Sequence, residues 1–249
     1  MQHDRNKVLI FRGTAAVISI AAIVYTFLSV KTAMDVAIRL CFFTEQSNIF
    51  ICVFLVILFI KTIIDRVKLG RYGEICSIKH RTVHFIAVIY ITLTFFVFAI
   101  VLAVPVFINT IKEEGAVMSI LNSLCLHYIV PVMAIIDWIK FAPHGNRSKE
   151  IPFIAISYFP IYFVTLIIRA SSGVPMVHYG DYVSLYPYPF LDINLLGWWS
   201  LLVIPIVIVL LATLAYGYMK FDGYLYKRQQ KQKAEFSEET VSDEQNQLQ

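Results

Sequence analysis

The stretch IFICVFLVILFIK, Ile49 to Lys61, decides the fold: twelve apolar residues follow one another without interruption and stop at a lysine. It is the second half of an apolar run from Val36 to Lys61, and a run of about 20 such residues crosses a hydrocarbon core of roughly 30 Å as a helix. Working outward, five more runs of this kind appear: Val8 to Val30, Thr82 to Ile108, Val117 to Phe141, Ile151 to Arg169 and Leu195 to Lys220. The expected fold is therefore all-α, a polytopic bundle of six transmembrane helices over residues 1–220. A 58% apolar content against 15% charge is excessive for a soluble domain and natural for six spans.

The basic residues orient the bundle. Arg5, Lys7 and Arg12 precede or open the first run. Lys61, Arg66, Lys68, Arg71, Lys79 and Arg81 lie between the second and third, and Lys140, Arg147 and Lys149 between the fourth and fifth. Lys220, Lys227, Arg228, Lys231 and Lys233 follow the sixth. These are seventeen of the 21 lysines and arginines, and only Lys31, Arg39, Lys112 and Arg169 fall on the other side. Such asymmetry over short loops predicts that both termini are cytoplasmic and that the protein sits in the cell membrane. The net charge of +4 then faces anionic lipid headgroups, and no nucleic-acid partner is implied. The first run is too long for a signal-peptide core and is read as a retained helix. The segment 221–249 turns from basic to acidic and Gln-rich with little to bury, which predicts a disordered cytoplasmic tail.

The four cysteines form no C-x-x-C pair and no framework spacing. Buried free thiols are the expectation. Neither a phosphate-cradling glycine loop nor a G-x-S-x-G elbow is present, and no His spacing suits zinc, so no cofactor or metal is expected.

Chemistry must therefore come from polar residues inside the apolar runs, where each is costly unless it faces protein. Two groups stand out. The second run holds Thr44-Glu45-Gln46-Ser47-Asn48, and the fourth holds Asn122, Ser123, His127 and Asp137, with Pro131 four residues after the histidine. If both runs are continuous helices entered from outside, Thr44 lies about 12 Å deep and His127 about 15 Å deep, at about 1.5 Å per residue. The two are then level. A third group is the connection between the last two runs, with Arg169 before it, His178 and Asp181 within it, and the string Tyr186-Pro187-Tyr188-Pro189-Phe190-Leu191-Asp192, whose prolines favour extended or turn conformations and a rigid lid. Each has a structural alternative. A membrane-helix threonine commonly bonds to the carbonyl four residues earlier, Glu45 suits a pairing with Arg39 or Arg169, Asp137 beside Trp138 suits an ion pair, and His80, His84 and His144 read as solvated loop residues.

The strings FTEQSNI (Phe43 to Ile49), HYIVP (His127 to Pro131) with Asp137-Trp138, and YPYPFLD (Tyr186 to Asp192) resemble a group of bacterial six-helix integral membrane proteins over nearly the whole chain. More distantly, the arrangement resembles the eukaryotic androgen-induced and androgen-dependent membrane proteins that hydrolyse fatty acid esters of hydroxy fatty acids with an intramembrane Thr and His. That likeness implies catalytic roles for Thr44 and His127, whose order and H-x-x-x-P context match. Here Thr44 is followed by Glu-Gln-Ser-Asn, which departs from the eukaryotic pattern, so the likeness bears on the site more than on the substrate. A Thr hydroxyl needs an adjacent base, and His supplies one near neutral pH. Asn48 and Ser123 are candidate oxyanion donors, and Arg169 and Asp192 are candidate contacts for the polar end of a substrate. Membrane lipids are the expected partners. Two other readings stay open: a solute or ion transporter or channel lined by the same polar row, and a non-enzymatic scaffold in which the row joins helices.

Overall fold

The computed structural model describes residues 3–75, 81–103, 116–145, 147–179 and 181–247, with no side-chain description at 179, 233 or 235–247. Cys76, Lys79, His80, Lys112 and the end of the third run at 104–108 lie outside the described residues. The chain is all-α, and six of its helices are long and apolar enough to cross a membrane.

Strand β1 (His3–Asp4) pairs antiparallel with β2 (Tyr72–Gly73), holding the start of α1 (Arg5–Leu28) against the end of the second long helix. Arg5 reinforces this junction. Its guanidinium donates to the carbonyls of Leu69, Gly70, Tyr72 and Glu74 over 2.7–3.0 Å, answering carbonyls that a helix end otherwise leaves free.

The second apolar run is not one helix. A short α2 (Ala33–Leu40) starts at a capping box between Thr32 and Asp35, and α3 (Phe43–Leu69) begins afresh after Cys41 and Phe42. Thr44 therefore sits in the first turn of α3 and not partway down a continuous helix, so the depth estimate for it does not hold.

Helix α4 (Arg81–Val97) is the most enclosed element. Phe85, Ala87, Val88, Ile89 and Ile91 have no accessible surface, because α3 and the helices that follow pack around it. It passes into a π-helical turn, Phe98–Leu102. The fourth span is α5 (Ala116–Leu124), a π turn (Cys125–Ile129) and α6 (Val130–Phe141). The interruption has a local cause. Pro131 has no N–H to give the His127 carbonyl, and its ring crowds that oxygen, so the chain widens to an i to i−5 bond from Val130 N–H to the Cys125 carbonyl.

Helix α7 (Ile151–Ala170) leads into a hairpin of β3 (Val177–Tyr179) and β4 (Tyr182–Ser184), a 3₁₀ turn at Pro189–Leu191, α8 (Ile193–Leu196) and α9 (Trp199–Gln247). Helix α9 runs on past Lys220 without a break. Asp222, two residues further on, is buried. Outward-facing Ile10, Val17, Phe153, Ile161 and Ile206 stay exposed, as suits lipid rather than water for a solvent.

Two histidines expected in solvent are buried as well. His84 packs against Phe54. His144 places Nδ1 2.9 Å from Asp222 and Nε2 3.1 Å from the Ile139 carbonyl. Arg147 and the Gly145 N–H complete the ring of donors around Asp222. Asp137 is the ion-pair member its position suggested. Arg12 donates to both of its oxygens at 2.7 and 3.2 Å and to Thr62 Oγ1 at 2.8 Å, with Arg12 and Asp137 fully enclosed. Cys41, Cys52 and Cys125 are free thiols.

Candidate functional site

The end of the bundle opposite these charges carries the hairpin, and there the start of α3 forms a polar cluster. Five helical threonines, Thr26, Thr62, Thr92, Thr165 and Thr213, each donate to the carbonyl four residues earlier. Thr44 does not. The break at Cys41 and Phe42 removes the preceding turn, and the Leu40 carbonyl accepts instead from Gln46 Nε2 at 2.7 Å.

What Thr44 meets is the hairpin. Its backbone N–H donates to Tyr188 Oη at 3.2 Å, and the Tyr188 hydroxyl donates to Thr44 Oγ1 at 3.4 Å. Burial, ahead of its other influences, pushes the Tyr188 phenol up to about 12, so it remains a donor throughout the neutral range. Thr44 Oγ1 thus accepts a bond, and among the described residues its own proton has no acceptor. Phe42 and Phe190 pack on the same tyrosine ring.

Around Thr44 the polar run divides by face. Ser47 donates to the Thr44 carbonyl and lies 2.6 Å from Thr94 Oγ1 on α4. Gln46 turns to Tyr158 of α7. Asn48 Nδ2 donates to the Thr44 carbonyl at 2.8 Å. The reversed amide would oppose two acceptors, so Oδ1 is the atom that points away. Among the described residues nothing bonds that Oδ1 or Glu45 Oε2, and both are buried. Arg169 does not answer Glu45, since its guanidinium donates to the Leu185 and Pro175 carbonyls, and no ion pair links Glu45 to Arg39 among the described residues.

His127 lies in the middle of the π turn. Nδ1 is 2.8 Å from the Ser123 carbonyl and 3.4 Å from Ser123 Oγ. A carbonyl can only accept, so Nδ1 carries the proton and Nε2 holds the lone pair. The ring stacks on Phe98 with centroids 3.8 Å apart and planes 16° from parallel. Thr94 and Phe98 are one turn apart, so the end of α4 and the π turn that continues it carry the partner of Ser47 and the platform for His127 on neighbouring turns. No hydrogen bond joins Thr44 to His127 among the described residues.

The other two expected site residues serve the hairpin itself. Asp192 is fully buried, with one oxygen accepting from Tyr182 and Ser184 hydroxyls and the other from the Asn194 and Leu195 N–H groups. Its bonds leave little for a ligand, whereas Arg169 gives two of its five N–H groups to loop carbonyls. A small apolar crevice of ≈ 20 Å³, lined by Phe163, Leu166, Tyr186, Leu191, Leu201 and Ile204, lies under the hairpin between α7 and α9. No group of three or more His, Cys, Asp or Glu suited to a metal occurs among the described residues.

Tyr188, Thr94 and Phe98 are the participants that motif reading missed. Tyr188 was within reach of sequence reasoning, since it lies in the proline-fixed string. Thr94 and Phe98 carry no local signal. Comparison with protein-family models, curated proteins and solved structures finds no match to this chain.

Proposed function

We propose that this multi-pass membrane protein is an intramembrane hydrolase of lipid esters, with Thr44 as nucleophile and His127 as general base. The observation that carries the reading is the Thr44 hydroxyl proton, which has no acceptor among the described residues, in a chain where Thr26, Thr62, Thr92, Thr165 and Thr213 give theirs to the backbone. The likeness to the fatty acid ester hydrolases supports the same pair, as does the free lone pair on His127 Nε2.

In this mechanism Nε2 takes the Thr44 proton as Oγ1 bonds to the ester carbonyl carbon. The alkoxy group then leaves with the proton from His127, and water releases the acyl group by the same steps in reverse order. Tyr188, donating beside Oγ1, is the best-placed stabiliser of the developing oxyanion. The second N–H of Asn48 and the Ser123 hydroxyl are the alternatives. A lipid substrate reaches such a site by lateral diffusion. Arg169 and Asp192 would then support the loop that covers the substrate and not bind it directly.

The test is labelling of the purified protein with a fluorophosphonate, together with ester hydrolysis in proteoliposomes. Wild type labels and Thr44→Ala does not; unlabelled wild type without hydrolysis ends the reading. The rival permeation reading needs a polar path to the opposite end, where the enclosed Arg12–Asp137 pair closes on itself.

The charge asymmetry further supports placing the Lys61–Arg81 end in the cytoplasm. A cysteine introduced at Gly70 should then resist impermeant reagents added outside intact cells, and one at Gly173 should react.

A further inference from the structure

The carbonyl of Ile139 lies in the last turn of α6, and the residue that would donate to it in a longer helix is Pro143, which has no N–H. His144 supplies the missing donor. Its Nε2 is 3.1 Å from that oxygen, while its Nδ1 is 2.9 Å from Asp222 Oδ1 on α9. Both side chains are enclosed. Each ring nitrogen therefore faces an acceptor, and a ring turned by half a rotation would set C–H groups against both oxygens instead.

These contacts fix the number of protons. A carbonyl only accepts, so Nε2 carries one. The contact between Nδ1 and Oδ1 holds a second, whether the ring or the carboxyl owns it. The pair thus has one proton more than a neutral imidazole beside a carboxylate. The charged groups around it act in opposite senses. Arg147 bonds the same Oδ1 at 3.2 Å, and Arg81 at the start of α4 lies within the field of both Arg147 and Asp222. Their positive charge favours an ionised carboxyl and opposes a charged ring, whereas the two acceptors favour a charged ring. The remaining titratable neighbours are His84 on α4, within the field of Arg147, and two tyrosines of α9. Tyr218 packs on Trp138, which stands edge-on to the His144 ring. Tyr226 covers Gly145, whose φ of +83° brings it so near that a Cβ would lie 2.5 Å from the ring. Loss of one proton sets two acceptors against each other, at Ile139 or at Asp222, and one contact must open.

We propose that His144 and Asp222 form a proton-operated latch that holds the continuation of α9 past Lys220 against the α6–α7 loop. The latch does not depend on the hydrolase reading. In the unfolded chain a histidine gives up its second proton near the ordinary value of about 6.5, while the folded pair retains it. Its contribution to stability is therefore full below that value and is lost as pH rises above it. The bonds from Gly145 and Arg147 to Asp222 outlast the proton, so the change is a local loosening of α9 and the loop in a bundle that stays folded.

Amide hydrogen exchange of the purified full chain in detergent, corrected for the intrinsic effect of pH, tests this between about pH 6 and about pH 8.5. Protection in the α6–α7 loop and at 219–228 should fall about threefold or more across that range, with protection around Thr44 unchanged, and Tm should fall by about 2–5 °C. His144→Gln should show no step. Asp222→Asn removes the charge that favours the shared proton and should move the step to lower pH by about one unit; it carries the assignment should His144→Gln fail to fold. Nitrogen NMR of ring-labelled histidine reads the protons directly, and at the acid end the His144 ring should carry one on Nε2. Wild type without a step overturns the proposal, as does a His144 ring whose only proton is on Nδ1. A step that persists unchanged in both variants belongs to another group and overturns it as well.

Discussion

The two ends of the bundle bury polar groups on opposite terms. At the basic end Arg12 closes on Asp137 and Thr62, and Asp222 is ringed by His144, Gly145 and Arg147. The buried atoms left over there among the described residues are mostly N–H donors, on Arg5, Arg81, Arg147 and Trp138, with one acceptor, Gln232 Oε1, on α9. At the hairpin end the atoms left over among the described residues are the acceptors Glu45 Oε2 and Asn48 Oδ1, next to a threonine whose proton has no acceptor there. Closed charge networks fix helices to one another. Unanswered acceptors and an uncommitted hydroxyl lower stability unless something binds or reacts there, and that is the mark of a site.

The largest effects should separate the ends by activity. Thr44→Ala and His127→Ala should each lower ester turnover about 10³–10⁴-fold, and the double variant should add little, since members of one catalytic unit are non-additive. Unfolding free energy should change by only about 1 kcal/mol in the Thr44 variant. Folded single variants with wild-type turnover would erase the contrast between the ends.

The basic end should behave in the opposite way. Asp137→Ala strands the Arg12 charge and should cost about 3–5 kcal/mol, read by unfolding in mixed micelles, while the protein that remains folded keeps its turnover. Replacing both partners, Arg12→Met with Asp137→Leu, should recover most of that loss. A single variant as stable as wild type would show that the pair is not a structural clamp.

Smaller again is Asp222→Ala, which removes the acceptor from His144, Gly145 and Arg147. A loss of roughly 1–3 kcal/mol is expected, with faster hydrogen exchange in the α6–α7 loop and no change around Thr44. Exchange that also rises around Thr44 would show that the two ends are coupled.

The smallest effect is one of pH. Hydrogen bonds from Thr32, side chain first and backbone second, hold the exposed Asp35 carboxyl below its ordinary value. The cap on α2 therefore contributes fully above about 3.9, the ordinary value. It is lost as pH falls through the lower folded value. Amide exchange in α2 should be unchanged between neutral pH and mild acid and should quicken below that range, whereas Asp35→Asn should show no such step.

Much of this was legible from single residues. Lys61 ending an unbroken apolar run gave the span and its edge, and Asp137 beside Trp138 gave an ion pair. Span two misled because hydropathy does not register a break: Cys41 and Phe42 are as apolar as the helix they interrupt. His144 and Asp222 misled in another way, since each looks like a loop or tail residue until the continuation of α9 brings them together. The Thr44 hydroxyl was ambiguous for a physical reason, because its bonding depends on whether a turn precedes it.

By itself the sequence determined the six apolar helices, the asymmetry of charge between their ends and the polar residues that had to find protein partners, because these follow from transfer free energies that act residue by residue. Only the tertiary structure decided which partners they found. Arg12 met Asp137 across 125 positions and Tyr188 met Thr44 across 144, while Glu45 Oε2 and Asn48 Oδ1 met no partner among the described residues. Hydrogen bonds are short and directional, so they depend on where helices break and how they pack, which local composition does not encode.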